Sequence, residues 1–240
     1  MSRHPTPYGL EIVQSCLACA AREEGLFCNL GPEALKQLDA IRQLSTYPKG
    51  ATLFVEGQEP RGIYILCAGS VKLTATSARG NTLIVRVAEK GEVLGLSAAV
   101  SRSPHEGSAE TLEPTEVSFL PQEAFLSFLE SRGEVAVRVA QHLSMELRRA
   151  YQQVTRIALA PTARAKLAGL LLEWSRQHGQ PGRSKGFHLR LTHEDVGALI
   201  GASRETVTRI LSDFRREGLI ETSGSFIALR EASKLEAILD

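Results

Sequence analysis

Cysteine is the residue type with the most specific chemistry in this chain, and three of its four copies lie near the start. Their spacing is Cys16-x2-Cys19-x8-Cys28. Where thiols stay reduced, such a group indicates metal binding or redox chemistry rather than a disulfide framework. Cys67 lies in a predicted strand and shares a face with Ile63 and Ile65, where a free cysteine usually serves as a small core residue. The pattern leaves open a metal site, a thiol redox switch and cysteines without a chemical role.

A second group of chemically informative residues lies on the outward face of a predicted helix near the other end of the chain. It consists of Arg204, Glu205, Thr208 and Arg209. Arginine can form paired hydrogen bonds with guanine O6 and N7, and glutamate accepts a hydrogen bond from cytosine N4. Hydroxyls at helix starts, which hold phosphate together with backbone amides, are supplied by Thr192, Ser203 and Thr206. These residue types favour contact with duplex DNA, and a solvated helix of mixed charge is the alternative.

Residues 191 to 218 contain the elements that must position those side chains. Capping residues mark the ends of two predicted helices: Thr192 with Asp195, Gly201, Ser203 and Gly218. Apolar side chains recur on one face of each helix, at Val196, Leu199, Ile200, Val207, Ile210, Leu211 and Phe214. Helix, tight turn and helix predict a helix-turn-helix, and residues 219 to 228 predict a hairpin, the wing, after it.

The composition is that of an ordinary globular protein, with 240 residues, 43% hydrophobic and 23% charged, and a net charge of +1. This length allows one large domain or two smaller ones, each with its own core. The sequence has neither an apolar run of the ~20 residues needed to span a bilayer nor a signal-peptide core, so we expect a cytoplasmic protein without a membrane partner. Residues 148 to 190 contain nine Lys or Arg and one acidic residue, as expected for a segment near phosphates.

Short apolar runs separated by glycines begin after Pro48. They are ATLFVEG, IYILCAG, SVKLTAT, TLIVRVA and TEVSFLP. Apolar residues alternate along two of them, at Val71, Leu73 and Ala75 and at Leu83, Val85 and Val87. Several short strands with regular turns predict a small antiparallel barrel or jelly roll. A short helix is predicted before them, with Pro32 in its first turn.

One long helical pattern without Gly or Pro covers residues 134 to 159. Its apolar residues are spaced by four and three, and five of them form what we call the seam: Leu143, Leu147, Ala150, Val154 and Ile157. This spacing is that of a two-helix coiled coil and predicts a dimer. A helix packed only on its own domain is the alternative.

The segment SRETVTR, followed by the predicted hairpin, resembles the recognition helix of the Crp/Fnr family of bacterial transcription regulators. The order PKGATLFVEG, GIYILCAGSVKL and KGEVLGL resembles the double-stranded β-helix of cyclic-nucleotide-binding domains. The resemblance implies an α+β chain with four parts: a cysteine-containing arm (1–31), a β-roll sensor domain like those that bind cyclic nucleotides (32–133), a dimerisation helix (134–160) and a winged helix-turn-helix (161–240). It further implies a homodimer that binds palindromic double-stranded DNA and contacts RNA polymerase.

Branches of this family differ in the recognition helix. The pattern Arg204-Glu205-x-x-x-Arg209 resembles the cyclic-AMP-responsive branch position for position, which implies the half-site TGTGA paired with TCACA one helical turn away. The oxygen-sensing branch presents Glu-x-x-Ser-Arg, whereas this chain has Thr208 at the serine position and adds Arg204 before the glutamate. We therefore expect Arg204 and Arg209 each to contact a guanine and Glu205 to contact a cytosine.

The effector region resembles the cyclic-AMP-responsive branch less well. Members of that branch carry a Glu directly after the second Gly of KGEVLGL, for the ribose, and a later Arg-Ser pair for the cyclic phosphate. Here these positions are Leu96 and Gly107-Ser108. Without the cation, a cyclic phosphate loses a charge-assisted paired contact. We therefore do not expect cyclic AMP as the effector, and another small molecule in the same roll stays open.

The cysteine arm resembles the cluster-binding arm of the oxygen-sensing Fnr branch, although the second spacing there is shorter. Iron–sulfur clusters are held by thiolates, and a cubane needs four ligands. The fourth ligand in that branch lies in the strand matching TEVSFLP, where this chain has Ser118, so Cys67 is the remaining candidate. The resemblance thus implies a [4Fe–4S] cluster on Cys16, Cys19, Cys28 and Cys67. Haem, with His4 or His105 as axial ligand, is a further option by residue type only.

Three function classes are compatible with these features to different degrees. The first is a homodimeric transcription regulator controlled by a signal at the cysteine arm or β-roll, such as oxygen, thiol oxidation or a small ligand other than cyclic AMP. The second is a small-molecule- or metal-binding module without a DNA function, which has no need of the Arg204, Glu205 and Arg209 face. An enzyme is not expected, because the sequence has no Gly-rich phosphate loop and no activated-nucleophile motif.

Overall fold

The computed structural model describes residues 8, 10, 15–19, 25–76, 82–159, 162–178, 186–189 and 191–239, and of residues 152–159 and 177–178 it describes the helical backbone alone. The chain folds as two compact units, Met1–Leu147 and Arg148–Asp240. His4 and the side chains of Val154 and Ile157 lie outside the described part. None of the described helices is long and apolar enough to cross a membrane.

The first unit is built on a roll of two four-stranded antiparallel sheets, as the glycine-separated runs predict. One sheet contains, in spatial order, β1 (Gln43–Tyr47), β8 (Thr115–Pro121), β3 (Gly62–Ala68) and β6 (Val93–Leu94). The other contains β2 (Thr52–Phe54), β7 (Ser108–Thr111), β4 (Ser70–Thr76) and β5 (Thr82–Glu89). The predicted runs become β2, β3, β4, β5 and β8, whereas β1, β6 and β7 are too short or too polar to stand out in the sequence.

Two apolar layers hold this unit together. The inner layer lies inside the roll and takes one buried residue from each of β2 to β8. The outer layer contains residues from the cysteine arm and from four helices: α1 (Pro32–Ile41), α2 (Leu96–Ser101), α3 (Gln122–Ser131) and the start of α4 (Gly133–Leu159). Helix α1 begins at Pro32, as predicted, because proline fixes the first-turn φ and has no N–H to leave unpaired. Leu35 and Leu38 of α1 are buried in this outer layer.

The alternation seen in the sequence of β5 does not mark its buried face. Leu83 and Val85 are exposed, whereas Ile84 between them is buried. The pairing with β4 shifts after Leu73 and leaves Val85 as an extra residue of β5. Such a bulge breaks the two-residue period on which the sequence argument depends.

Helix α4 begins one residue before its predicted start, and its first turns pack on their own unit. Val135 and Val139 are buried in the outer layer, and Leu143 is partly buried against it. The first turns of α4 therefore pack on their own domain, which is the alternative to the coiled coil. Leu143 packs partly against the same layer, so only part of its side chain is available for contact with a second helix. Leu147 is 58% exposed, and Ala150 is exposed as well. Among the seam residues whose side chains are described, the open part therefore begins at Leu147.

The second unit is a helix-turn-helix with a hairpin, as predicted. Its helices are α5 (Ala163–His178), α6 (His193–Ile200), α7 (Arg204–Arg216) and α8 (Ala232–Glu236). Its strands are β9 (Gly186–His188), β10 (Ile220–Ser223) and β11 (Phe226–Leu229), with β11 in the middle of the sheet. The short strand β9 was not predicted. It is held by Phe187, which is buried and meets the edge of Trp174 at a ring distance of 5.9 Å.

Candidate cysteine site and nucleic-acid interface

The four cysteines line a single cavity of about 30 Å³ in the first unit. Cys16 begins a 3-10 turn (Cys16–Ala18), and Cys19 caps it. Cys28 lies in a turn of the arm, and Cys67 lies in β3. The other residues of the cavity wall are Phe27, Leu38, Arg42, Ile65, Leu66, Lys90, Gly91 and Ser118. The fold therefore brings together all four cysteines that the sequence singles out.

Asp39 of α1 holds the Cys16 end of the arm. Its carboxylate accepts hydrogen bonds from the Cys16 N–H, at 3.0 and 3.1 Å, and from the Ser15 hydroxyl at 2.9 Å. The same carboxylate lies 2.8 Å from Nε of Arg42. Burial works to raise the pKa of Asp39, but the Cys16, Ser15 and Arg42 donors together hold it below its ordinary value. Asp39 is therefore ionised at neutral pH and ties the arm to α1.

Cys67 occupies a β-bulge. Its two neighbours in β3 pair with Val117 and Glu116, which are consecutive in β8, so Cys67 is left over as an extra residue. Bulges redirect side chains and are common beside functional sites. Ser118 of β8, at the position where the oxygen-sensing branch carries its fourth ligand, lines the same cavity. Cys67 therefore lines the same cavity as Ser118 and the arm cysteines.

Burial changes the chemistry of two of these thiols. It raises the pKa of Cys16 to about 12, against the opposing effect of the Arg42 guanidinium. It also raises the pKa of Cys67 to about 12, and the Glu116 carboxylate adds to that increase. As free thiols, both stay protonated and weakly nucleophilic at neutral pH. A bound metal ion would displace these protons, since the thiolate is the ligand.

The thiols share a cavity without converging on one point. Among the described residues, no three Cys, His, Asp or Glu side chains surround a common position as metal ligands do. Four thiols are the donor set both of a tetrahedral zinc site and of an iron–sulfur cluster. Binding either group would require the thiols to converge around it.

The positions that contact cyclic nucleotide in the responsive branch have other contacts here. Leu96 starts α2 and is buried in the outer layer. A side chain at Gly107 would meet the backbone, because its Cβ would lie 2.6 Å from the Thr74 carbonyl oxygen. Ser108 Oγ accepts a hydrogen bond from the Glu56 N–H at 2.9 Å. These positions therefore supply neither the carboxylate for the ribose nor the cation for the phosphate.

His105, the haem candidate inside the described part, is buried rather than solvated. Its ring stacks on Phe54 with a centroid distance of 3.9 Å. Burial lowers the pKa of His105, against a smaller opposing effect of Glu106. The ring is therefore neutral at neutral pH and is a packing partner of the inner layer.

The helix-turn-helix is capped as the sequence predicts. Thr192 Oγ1 accepts a hydrogen bond from the Asp195 N–H at 3.1 Å, and the Asp195 carboxylate accepts one from the Thr192 N–H at 3.0 Å. Gly201 ends α6 with a φ of 68°, in the left-handed region that favours glycine. Ser203 caps α7 by accepting a hydrogen bond from the Thr206 N–H at 3.2 Å. The buried side of α7 consists of Val207, Ile210, Leu211 and Phe214, as predicted.

The opposite side of α7 is open to solvent and carries the four predicted contact residues Arg204, Glu205, Thr208 and Arg209. The backbone N–H of Glu205 and the Ser203 hydroxyl lower the pKa of the Glu205 carboxyl. It is therefore ionised and able to accept a hydrogen bond from a base amine. The hydroxyls expected to hold phosphate, on Thr192, Ser203 and Thr206, already take part in the helix caps.

Thr208 is less available than its neighbours. Its hydroxyl donates to the Arg204 carbonyl oxygen at 2.9 Å and lies 2.8 Å from Nδ1 of His193. His193 is the first residue of α6, so this contact ties the two helices together beside the polar face. Sequence analysis missed His193 because a contact across 15 residues has no local pattern.

Comparison with known proteins supports this two-part architecture. Residues 44–132 match the cyclic nucleotide-binding domain family, and residues 165–238 match the Crp-like helix-turn-helix domain family. The chain is 30% identical over 213 residues to the cyclic AMP receptor protein of Thermus thermophilus, which covers 89% of this chain and 95% of the relative. It is 25% identical over 225 residues to the fumarate and nitrate reduction regulatory protein of Salmonella typhimurium, covering 93% and 89% respectively.

Comparison with solved structures supports the same architecture. The structure of FixK2 from Bradyrhizobium japonicum superposes with a TM-score of 0.74 at 25% identity, over 83% of this chain and 98% of that one. Family models cover most of the chain, and the relatives that match along its length include proteins named as a transcriptional regulator and as a regulatory protein. This chain therefore belongs to the Crp/Fnr family of DNA-binding transcription regulators.

Proposed function

We propose that the protein works as a homodimer on a palindromic DNA site with TGTGA and TCACA half-sites. The observation that carries this proposal is the exposed face of α7, on which Arg204, Glu205 and Arg209 project opposite a fully apolar stripe. A symmetric dimer presents two such helices to successive turns of the major groove. Because bacterial DNA lies in the cytoplasm, the protein works there. Membership of the family supports RNA polymerase as a further partner.

Site selection in vitro at a stated salt concentration tests the half-site. Losing one paired arginine contact should cost about 1–3 kcal/mol and relax the choice at one base pair, so Arg204→Ala should enrich a degenerate motif. Arg102→Ala is the matched control, since Arg102 is an exposed arginine of the first unit paired with Glu123. Enrichment of TTGAT-type sites by the wild type, or an unchanged motif for Arg204→Ala, would contradict the proposal.

We further propose that Cys16, Cys19, Cys28 and Cys67 bind a metal centre that receives the signal. Their shared cavity, the bulge at Cys67 and the Asp39 anchor of Cys16 support this. A free-thiol switch is less well supported, because the buried thiols stay protonated. An iron–sulfur cluster bound here would supply chemistry that responds to oxygen. The same four-thiol donor set also suits a second candidate, a single tetrahedral ion such as zinc.

Anaerobic reconstitution separates these candidates. Protein treated with ferrous iron and sulfide, and in parallel with zinc, is analysed for bound iron, sulfide and zinc and for thiolate-to-iron absorbance. Cys19→Ala should abolish binding, and Cys67→Ser should reduce it if Cys67 is the fourth ligand. Brown protein with equal iron and sulfide supports the cluster, whereas tight zinc without iron supports the single ion. Protein that retains neither metal would contradict the metal centre.

Two contacts can carry a signal from this site to α4. Asn29, next to Cys28, accepts a hydrogen bond from the Arg138 guanidinium of α4. Phe27, which lines the cavity, meets the edge of Phe125 at a ring distance of 5.8 Å within the layer that buries Val135. A change at the cysteines would thereby reach the helix proposed to dimerise. Two arrangements of that helix would supply the two states that allosteric control requires.

Cyclic AMP is not the effector in this proposal, although relatives are named for it. The buried Leu96 and the backbone contact at Gly107 support that choice. Calorimetric titration with cyclic AMP should give no heat of binding, and a saturable signal at micromolar nucleotide would contradict it.

A further inference from the structure

Arg42 carries its charge almost out of contact with water, because its side chain is only 4% exposed. Removing a guanidinium from water is costly unless nearby groups offset the loss. The Asp39 carboxylate lies 2.8 Å from Nε of Arg42, and Ser118 Oγ lies 3.5 Å from its Nη1. Nη1 of this side chain therefore extends from the C-cap of α1 toward β8, along the wall of the cysteine cavity.

Asp39 is shared among several donors. Besides Arg42, its two oxygens accept hydrogen bonds from the Cys16 N–H and from the Ser15 hydroxyl. One carboxylate thus fixes both the cation and the first cysteine of the site. Asp39 therefore fixes the position of the Arg42 guanidinium relative to Cys16.

The charged side chains that line the cavity are cationic. Arg42 and Lys90 line it, and none of the described residues in the wall is a carboxylate, although Asp39 pairs with Arg42 and Glu116 acts on Cys67 without being wall residues. Four thiolates around a divalent ion or cluster core retain net negative charge, which a nearby cation offsets. We propose that Arg42 is the charge-compensating residue of the four-cysteine site and that Asp39 positions it. This inference rests on the metal centre proposed above.

A purely structural ion pair would also account for the burial of Arg42, so the test must separate the two roles. A structural role requires only that both charges be present or both be absent. Charge compensation requires the cation itself, whether or not Asp39 is charged. The double variant Asp39→Asn/Arg42→Met removes both charges, and Asp39→Asn alone measures what loss of the Cys16 contact contributes. A greater loss of affinity in the double variant is then due to the missing cation.

Cobalt titration of the full-length protein under anaerobic conditions provides the measurement, because thiolate-to-cobalt absorbance reports on the metal site directly. Loss of a supporting residue around a metal site typically weakens affinity about 10- to 100-fold. We expect that loss for Arg42→Met and for the double variant, and a smaller one for Arg42→Lys, which keeps the charge. Lys36→Met is the matched control, since Lys36 is an exposed lysine of the same helix. Circular dichroism checks that each variant folds.

The outcomes separate this inference from the proposed function. Unchanged cobalt affinity in Arg42→Met, or wild-type affinity in the double variant, would overturn the role of Arg42 while leaving the metal centre intact. A wild-type protein that binds neither cobalt nor reconstituted iron would remove the metal centre and this inference with it. Should Arg42→Met fail to fold, Arg42→Lys and the neutral double variant still decide the question.

Discussion

Gly25 sets how closely the cysteine arm approaches the roll. A Cβ at this position would lie 2.4 Å from the Gly91 carbonyl oxygen and 2.9 Å from Cys28 Sγ. The first of these neighbours is backbone, so the arm itself must move. We expect Gly25→Ala to destabilise the first unit by roughly 1–3 kcal/mol and to weaken cobalt binding. Urea unfolding followed by circular dichroism and the cobalt titration measure both effects.

Gly31→Ala is the control for this prediction, since nothing lies within 4 Å of a Cβ at Gly31. It should change neither stability nor metal binding by much. If Gly25→Ala binds cobalt as the wild type does, the arm does not need this close approach to form the site.

Asp39 predicts an acid-sensitive contribution to the stability of the first unit. Burial works against the charged form, but the Cys16, Ser15 and Arg42 donors hold the pKa of Asp39 below its ordinary value. The folded chain is therefore harder to protonate here than the unfolded chain. The contribution is fully present above the unfolded pKa, and it is lost as the pH falls through the lower, folded pKa.

We expect Asp39→Asn to lower the free energy of unfolding by roughly 1–3 kcal/mol at neutral pH. The difference from wild type should begin to shrink below about pH 4, where the unfolded wild-type carboxyl takes up a proton, and should disappear once the folded carboxyl is protonated as well. Urea unfolding of both proteins across that range measures the difference. Glu33→Gln, on the exposed side of the same helix, should show little change at any pH. A difference that persists unchanged into acid would mean that the charge of Asp39 does not matter.

Residues whose roles depend on local sequence were predictable, whereas residues whose roles depend on distant contacts were not. Thr192, Gly201 and Ser203 follow from capping rules that involve neighbours within four positions. Asp39 and Arg42 carry no such pattern, because their role arises only when α1 meets the arm and β8. The four cysteines were found by their type, but their common cavity required the fold.

The hydrogen bond between Asn29 and Arg138 joins the turn that holds Cys28 to helix α4. If it transmits the signal, removing it should uncouple DNA binding from the metal without disturbing either site. Allosteric coupling usually changes affinity by about 5- to 150-fold. We expect the wild type to show a ratio in that range between metal-loaded and metal-free forms, and Arg138→Ala to lose most of it.

Fluorescence anisotropy with a labelled TGTGA palindrome, at one stated salt concentration, measures that ratio. Gln141→Ala, an exposed position on the same helix, is the control and should keep the wild-type ratio. An Arg138→Ala protein that also keeps the full ratio would show that this link does not transmit the signal.

Elements with long, regular patterns were predictable from sequence, namely α1, α4, α6, α7 and the longer strands. Departures occur where tertiary pairing overrides local periodicity. The bulge at Val85 reverses the expected exposure in β5, and the bulge at Cys67 frees that residue from the ladder. Neither bulge has a sequence signal, since both depend on the register of the neighbouring strand.

The cysteine site belongs to the first unit and the recognition helix to the second, and α4 contains residues of both. The first turns of α4 are committed to the outer layer of their own unit. The seam from Leu147 onward is the part left for a second copy of the chain. Dimerisation through it would give the two-fold symmetry that a palindromic site requires.

The substitution Leu147→Glu tests that seam. In a symmetric dimer each Leu147 lies near its counterpart, so two carboxylates would be buried against each other at a cost of several kcal/mol. We expect sedimentation at micromolar concentration to show a monomer, with loss of palindrome binding. Val137→Glu is the matched control, because Val137 is equally exposed at 58% on the same helix but lies off the four-three pattern. That variant should remain dimeric. A dimeric Leu147→Glu together with a monomeric Val137→Glu would move the interface to the other face of α4.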